Sequence, residues 1–230
     1  MKFAIANNLK SKVSGKFLPS SLSSLLHWYR VGVGQTLDVN DNINIWTDQK
    51  GSNNLTGSGG NDQQPKLIGN AVTFGASDDH LEFETALELS NFSIYIRAEH
   101  SSPGDFLTTQ VDSGGTDFLK VQTATQARVK INGQRHDYNL SGTISVNTKY
   151  SIGFERATNG DISIFLEQGG TIQTSTLTGS GDGNVAISEL TDFVEIGRPS
   201  NGLKVYEIVI LDSELDDENR TKLFGYLENK

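Results

Sequence analysis

The sequence lacks cysteine and is poor in proline and in long apolar segments. Its 230 residues include no cysteine, four prolines and one methionine. Without cysteine there are no disulfide bonds and no thiolate metal sites, which fits assembly inside a cell without excluding export. No window approaches the roughly 20 apolar residues of a membrane-spanning helix, and Met1–Ala6 is too short for the apolar region of a secretory signal. We therefore expect no membrane insertion.

Basic residues are also scarce, and they are unevenly distributed. The chain has 19 Lys and Arg against 28 Asp and Glu, a net charge of −9. Because binding to a phosphate backbone needs clustered Lys and Arg, we expect no nucleic-acid partner. Residues 1–18 contain Lys2, Lys10, Lys12 and Lys16 and no acid, so 15 basic and 28 acidic residues remain in the rest, a net charge of −13. The sequence therefore combines a basic arm with an acidic body.

What the chain does contain is a series of short apolar segments separated by turns. Apolar and polar residues alternate in Phe92–Arg97, Tyr150–Glu155 and Ile162–Glu167, which predicts half-buried antiparallel strands. Asn159-Gly160 predicts a two-residue type I′ turn with positive φ at both positions. Further candidate strands are Phe106–Gln110, Phe118–Thr123, Arg128–Ile131, Arg135–Leu140, Thr171–Thr176 and Phe193–Gly197. Strands at intervals of roughly 8–12 residues with Gly-rich turns indicate an all-β sandwich. The polar, Gly-rich stretch Gly51–Gln64 predicts a loop.

The end of the chain predicts a buried strand and a helix. Within Val205–Leu211 only Glu207 is polar, so this strand should be covered on both faces. Asp216 is a suitable helix N-cap, and Leu223 and Leu227 follow at helical spacing.

Four segments, in order, resemble one domain family. The first is a turn at Pro19–Ser21 followed by a strand at Leu26–Arg30, which begins LHW. The second and third are Ile43–Gly51, with the sequence INIWTDQKG, and Phe74–Leu81, with the sequence FGASDDHL. The fourth is Gly202–Lys230, which contains a strand, the sequence LDDE and a helix with the sequence GYL. Their order and spacing are similar to those of concanavalin A-like (laminin-G-like) jelly-roll domains, especially domains attached to tailed-phage structural proteins and bacterial surface proteins. One departure is that relatives often place an acidic residue after the first Trp, where this chain has Tyr29-Arg30.

The resemblance, over about residues 19–228, narrows the sandwich to a jelly roll. It implies an antiparallel β-sandwich over residues 19–230, with an extended N-terminal arm at residues 1–18 and a short C-terminal helix. Trp28 and Trp46 then belong to the core.

The resemblance also implies a role as a non-catalytic structural protein of a tailed-phage virion, assembled in the host cytoplasm and displayed on capsid or tail. The arm would bind other virion proteins, and its candidate contact residues are Lys2, Phe3, Ile5, Lys10, Lys12, Lys16 and Phe17. A frayed terminus is the alternative for the arm. The alternative function is a lectin-like module that binds cell-surface glycans, located outside the cell or on its surface. A glycoside hydrolase ranks third, and a homo-oligomer stays open.

Acidic clusters supply candidate catalytic and metal sites. Glu214, Asp216 and Glu218 have the E-x-D-x-E spacing of laminarinase-type glucanases. They fall at a predicted helix start, where acidic residues complement the helix dipole, so we expect no catalytic residue there. Asp38–Asn42, Asp78-Asp79 and Asp182–Asn184 offer oxygen ligands for Ca²⁺, but such clusters are typical of turns. The prediction is no bound cofactor and no metal ligand, with Ca²⁺ the one ion left open.

The four histidines stand apart in sequence and form no recognisable zinc motif. If the chain binds a carbohydrate, the candidate ligand-binding residues are those that the strand alternation directs outward. The alternative is that these residues form an ordinary solvated strand surface. These candidates are Tyr95, Arg97, Arg128, Arg135, His136 and Tyr138.

Overall fold

A computed structural model describes residues 17–57, 63–76, 78–102, 105–108, 117–181, 189–197 and 202–230. In these ranges the chain forms two antiparallel sheets, a short 3-10 turn at Pro19–Ser21 and one α-helix. The predicted β-sandwich is therefore confirmed. The arm residues up to Lys16 lie outside the described residues, and their partner-binding role stays a prediction. Within the described ranges, no helix has the length and apolar character needed to cross a membrane.

The first sheet contains eight of the described strands. They are β1 (Leu25–Arg30), β5 (Lys66–Ile68), β6 (Ala71–Phe74), β8 (Phe92–His100), β13 (Tyr150–Arg156), β14 (Ile162–Gln168), β15 (Thr171–Thr174) and β18 (Leu203–Leu211). Their order is β15-β14-β13-β8-β18-β6-β5, and β1 also pairs with β18. The last strand is thus central, as the apolar run at Val205–Leu211 predicted.

The second sheet contains ten of the described strands. They are β2 (Gln35–Leu37), β3 (Ile43–Trp46), β4 (Leu55–Gly57), β7 (Leu81–Leu87), β9 (Asp105–Thr108), β10 (Phe118–Thr123), β11 (Gln126–Ile131), β12 (Gln134–Asn139), β16 (Thr176–Gly181) and β17 (Phe193–Ile196). Their order is β16-β12-β11-β10-β9-β17-β7-β4-β3-β2. The prediction of a continuous loop at Gly51–Gln64 was wrong, because β4 pairs with β3 and β7 and buries Leu55 completely.

The two sheets enclose one large apolar core. Ile94 and Ile96 from the first sheet and Leu119 and Val129 from the second are fully buried members of it. Burying a side chain of this kind stabilises the folded state by about 1.5–3 kcal/mol. Trp46 is also completely buried here, which confirms its predicted core position.

A second apolar cluster lies outside the sandwich, between the eight-stranded sheet and the helix α1 (Asp217–Glu228). The predicted N-cap is confirmed, since the Asp216 side chain accepts a hydrogen bond from the Asn219 backbone N–H at 2.7 Å. Phe224 packs in this cluster with Trp28, and Phe17 packs beside it, 6.3 Å from Tyr226 between ring centroids.

This helix changes the burial of the strands beneath it. Every residue of β13 is buried, and β8 is buried along nearly its whole length. The prediction that these two strands are half-buried was wrong, because α1 covers the face that alternation turns outward. For β14 the alternating prediction holds at Ile162–Phe165.

The turns also differ from the sequence prediction at one place. Five residues, 157–161, connect β13 and β14, and of the Asn159-Gly160 pair only Gly160 has a positive φ, +87°. The two-residue type I′ prediction was wrong, because the Asn159 side chain instead accepts the Asp161 backbone N–H at 3.1 Å. Asn132-Gly133 has φ of +47° and +82° and joins β11 to β12 directly. The Asn-Gly pair with positive φ at both residues is therefore the one between β11 and β12, and not the predicted one between β13 and β14.

Candidate functional site

Two of the residues predicted to bind a ligand, Tyr95 and Arg97, lie beneath α1. The Tyr95 side chain is completely buried and its hydroxyl donates to the Glu155 carboxylate. Arg97 donates from Nη1 to Glu167 Oε2 at 3.0 Å and from Nη2 to the backbone oxygen of Glu228 at 3.3 Å. The prediction that they face a ligand was wrong, because the helix occupies the space above them.

Two more of these residues, His136 and Tyr138, are buried on the core side of β12. The Tyr138 hydroxyl donates to the backbone oxygen of Ile162 at 3.1 Å, across the sandwich. Burial raises the pKa of Tyr138 well above its ordinary value, so the phenol stays protonated. Their assignment to a ligand face was also wrong, because the alternation of β12 directs its other residues, Arg135 and Asp137, outward.

The remaining two, Arg128 and Arg135, lie on the outer face of the ten-stranded sheet. The strand register sets Lys130 between Arg135 and Phe118. It likewise sets Arg128 between Lys120 on β10 and Asp137 on β12. We call these six residues the cationic face: Phe118, Lys120, Arg128, Lys130, Arg135 and Asp137.

An aromatic ring lies at one corner of the cationic face. The Phe118 ring is partly exposed, with Lys120 Nζ 4.7 Å and Lys130 Nζ 5.9 Å from its centroid. Both distances are within the range of a cation–π interaction. A large apolar side chain on the polar side of a sheet is therefore flanked by two ammonium groups.

One carboxylate organises the two arginines. Arg128 binds Asp137 through two hydrogen bonds, Nε to Oδ1 at 2.5 Å and Nη2 to Oδ2 at 3.1 Å. Arg135 Nε lies 3.6 Å from Asp137 Oδ2, and its side chain is 41% exposed against 21% for Arg128. The six residues, four cations, one carboxylate and one aromatic ring, carry a formal charge of +3 on a chain of net charge −9, and the acidic residue Asp105 on β9 is the register partner of Lys120.

This arrangement suits a ligand that has both negative groups and a flat apolar surface. Guanidinium and ammonium groups bind carboxylates, sulfates and phosphates, and an aromatic ring packs against the apolar side of a sugar ring. Sequence reasoning missed Phe118 and Lys120. The alternation that directs Leu119 and Val121 into the core already directs these two outward.

The acidic candidates serve local structure where the structure describes them. Asp38 Oδ1 accepts the Asn42 backbone N–H at 2.9 Å, and Asp79 Oδ2 accepts the Gly75 backbone N–H at 2.6 Å. Both fit the turn interpretation. Asp182–Asn184 lies outside the described residues.

The glucanase-like cluster lies at the start of α1. Asp216 caps the helix, and Glu218 Oε1 pairs with Lys222 Nζ at 2.6 Å on its surface. The helix-cap interpretation is confirmed. Glu214 lies just before the cap and outside any strand, so these acids lack the strand alternation of the glucanase motif.

Among the described residues, three potential metal ligands converge. His80, Glu82 and Glu195 each direct one ligand atom to a common region, with all three atoms within 4.8 Å of one another. Sequence reasoning missed this group because Glu195 is distant in sequence and only the pairing of β17 with β7 brings it there.

No protein-family model matches the chain, and no curated protein matches it by sequence. Among solved structures, Trypanosoma rangeli sialidase matches with a TM-score of 0.57 and 14% identity, over 90% of this chain and 33% of the sialidase. The botulinum neurotoxin serotype G binding domain matches with a TM-score of 0.58 and 12% identity, over 87% of this chain and 50% of its own. The chain shares its β-sandwich fold with these structures. It spans only a third of the sialidase and half of the toxin domain, and at such identities the matches show the fold alone.

Proposed function

We propose that this chain is a non-catalytic binding module that takes an acidic carbohydrate on the cationic face. The observation that carries the proposal is the partly exposed Phe118 ring between Lys120 and Lys130. Sugar-binding sites combine an aromatic surface with polar or charged groups that fix orientation, and both are present here.

The charge distribution favours a short ligand over a long polyanion. The cationic face spans β10, β11 and β12, whereas Glu82 and Glu195 lie on the same face, on β7 and β17. Glu195 is two strands from Phe118 in register, which places its Cα roughly 10 Å away. A ligand longer than a few sugar units would meet these carboxylates, and the acidic body would repel a nucleic acid.

The structural neighbours are consistent with this class of ligand. The T. rangeli sialidase has been seen with sialic acid, which is an acidic sugar, and the toxin domain is a binding domain. Because identity is low, these observations suggest which ligands to test first.

The test is a calorimetric titration with sialylated, uronic-acid and sulfated oligosaccharides and with their neutral counterparts. We expect saturable binding of at least one acidic sugar, and binding about fivefold weaker in Phe118→Ala, since a stacking or cation–π contact contributes on the order of 1 kcal/mol. Lys120→Gln and Lys130→Gln should also weaken binding. The matched control is Lys222→Gln, which removes an exposed cation from α1 on the opposite side of the molecule.

Two results would contradict the proposal. One is saturable binding that Phe118→Ala and Lys130→Gln leave unchanged, and the other is no binding to any acidic sugar tested. Hydrolysis of a bound oligosaccharide, lost on Glu218→Gln, would overturn the non-catalytic part.

We also propose that the module is displayed on a tailed-phage virion and is anchored there by its basic arm. The uneven charge favours this second role, since residues 1–18 hold four lysines and no acid ahead of a body of net charge −13. Such an arm complements an acidic surface on a neighbouring virion protein.

The anchoring role is tested by deleting residues 1–16, which keeps Phe17 in its contact with Tyr226. We expect the truncated protein to fold with unchanged stability and to be absent from purified particles. A full copy number of truncated protein on particles would refute the anchoring role and leave glycan binding untouched.

A further inference from the structure

Two glutamates face each other on adjacent strands of the ten-stranded sheet. Glu195 on β17 and Glu82 on β7 are direct partners in the register, and the side chains that flank Glu82, those of Leu81 and Phe83, are buried in the core. The Glu82 side chain is 45% exposed and that of Glu195 is 1% exposed. Directly opposed like charges destabilise a strand pair, and the effect is larger where water screens them less. The pair becomes favourable when a cation lies between the two carboxylates.

His80 completes the group from the residue before β7. Its Nε2 atom is 3.4 Å from Glu82 Oε1 and 4.0 Å from Glu195 Oε2, and its side chain is 3% exposed. Its Nδ1 atom lies 2.8 Å from the backbone oxygen of Asp78. A carbonyl oxygen only accepts, so Nδ1 donates this hydrogen bond and Nε2 is the ring nitrogen that faces the two carboxylates.

This is the arrangement of a metal-binding histidine, whose second ring nitrogen commonly donates to a backbone carbonyl or carboxylate. In a tetrahedral zinc site with metal–ligand distances of about 2.0–2.2 Å, neighbouring ligand atoms are about 3.3 Å apart. The two distances from His80 Nε2 exceed this value by less than 1 Å. All three ligand atoms lie within 4.8 Å of one another, so binding an ion requires Glu82 and Glu195 to move closer together.

We propose that His80, Glu82 and Glu195 bind a divalent transition-metal ion of the Zn²⁺ class. An imidazole nitrogen with two carboxylate oxygens suits Zn²⁺ and its neighbours in the first transition row, whereas Ca²⁺ and Mg²⁺ prefer oxygen ligands throughout. Three protein ligands leave a fourth position for water or for a ligand atom.

The position of the site gives the ion a structural consequence. Glu195 is in register with Thr108 on β9, and Thr108 is in register with Phe118. A bound dication would neutralise the two carboxylates, so the outer face beside β10 would lose its negative charge at β17 and β7.

The test is calorimetric titration of the metal-stripped full chain with ZnCl₂, and separately with CaCl₂ and MgCl₂. We expect one Zn²⁺ per chain and at least tenfold weaker binding of the other two ions. Glu195→Gln and His80→Asn should each weaken Zn²⁺ binding at least tenfold. The matched control is Glu84→Gln, which removes the same charge two residues along β7, where Glu84 is exposed and accepts from Asn54.

A readout on the unaltered protein keeps the test valid if a variant fails to fold. In ¹⁵N NMR spectra of the histidine side chains, Zn²⁺ should move the Nε2 resonance of His80 and leave those of the other three histidines in place. Absence of Zn²⁺ binding at millimolar metal, binding retained in both ligand variants, or a shift at another histidine instead would each overturn the proposal. None of these measurements uses a sugar, so failure of the metal site is distinguishable from failure of glycan binding.

Discussion

The two sheets have outer faces that carry similar residues and use them in opposite ways. On the eight-stranded sheet, α1 covers the outward residues of β8, β13 and β14, and the charged groups there pair with one another. On the ten-stranded sheet, the described residues place no helix over β10–β12. There Lys120 and Lys130 flank the partly exposed Phe118 ring, and the two arginines share the Asp137 carboxylate. Polar residues alternate along the strands of both sheets. Whether the outward residues are buried or exposed to solvent depends on the 12-residue helix α1, which covers only the eight-stranded sheet among the described residues.

The covered face shows how buried charges are accommodated. Glu155 accepts hydrogen bonds from the Tyr95 hydroxyl and from Arg220, whose Nη2 lies 2.8 Å away. Burial disfavours the charged guanidinium of Arg220, but the Glu155 carboxylate beside it raises the pKa of Arg220 above its ordinary value. A buried ion pair offsets its desolvation only when its remaining donors and acceptors are also bonded, so these contacts fix the helix on the sheet.

The largest expected effect on this comparison comes from loosening the helix. Phe224 is almost fully buried, and its ring lies 5.1 Å from that of Tyr95 in an edge-to-face contact. Phe224→Ala should lower the free energy of unfolding by about 3–5 kcal/mol, measured by urea denaturation. Lys222→Ala, on the exposed side of the same helix, should change it by less than about 0.5 kcal/mol. A loss below about 1 kcal/mol for Phe224→Ala would show that α1 does not hold this face closed.

A somewhat smaller loss should follow from breaking one buried pair. Arg97→Ala leaves Glu167 buried without its guanidinium partner and should lower the free energy of unfolding by about 3 kcal/mol. Replacing both residues by Met should recover most of that loss, because the unpaired charge is then gone. If Arg97→Ala weakens sugar binding while stability is unchanged, Arg97 would belong to a ligand site after all.

The pH dependence of stability separates the two faces further. Burial raises the pKa of Glu207 above its usual 4.5, while its Oε1 atom accepts from Trp28 Nε1 and from the Tyr226 hydroxyl, each at 2.5 Å. The folded chain thus keeps a proton at pH values where the unfolded chain has lost it, so Glu207 makes stability fall as pH rises from 4.5 through the folded pKa. Glu207→Gln retains an acceptor for both donors and should be more stable than the parent above that window, with a flatter pH profile. Identical pH profiles in urea denaturation would contradict this.

The smallest effects on stability are expected on the cationic face. Lys130→Gln and Lys120→Gln should change the free energy of unfolding by less than about 0.5 kcal/mol, since both side chains are partly exposed. The same variants should weaken binding of an acidic sugar. A loss of several kcal/mol in stability would place these lysines in the framework of the fold, as on the opposite sheet.

Sequence patterns predicted the features that depend on neighbouring residues. Asp216 as a helix cap, the central strand at Val205–Leu211 and the inward phase of Phe92, Ile94 and Ile96 all follow from local spacing, and the structure confirms them. The pattern also predicted correctly that Tyr95 faces the side opposite to Ile94 and Ile96. It predicted wrongly that Tyr95 is exposed on that side, because the side chain is completely buried. A strand pattern does not tell which outward face a distant helix will cover.

The candidate sites depend on register between distant strands. His80 and Glu82 are separated from Glu195 by more than 110 residues, and only the β17–β7 register brings them together. Phe118 gains its cations in part from β11, where Lys130 is its direct partner. Asn132-Gly133 fixes the following hairpin through its two positive φ angles, whereas the similar Asn159-Gly160 pair does not form such a turn. Dipeptide identity alone did not distinguish them.

The most direct test of the difference between the two outer faces is a ¹H–¹⁵N chemical-shift map during titration with an acidic oligosaccharide. We predict saturable shifts of backbone amides in Phe118–Thr123, Gln126–Ile131 and Gln134–Asn139, and none in β8, β13 or α1. Shifts confined to the residues beneath and along α1, or no saturable shift in β10–β12 with any acidic sugar, would contradict the account.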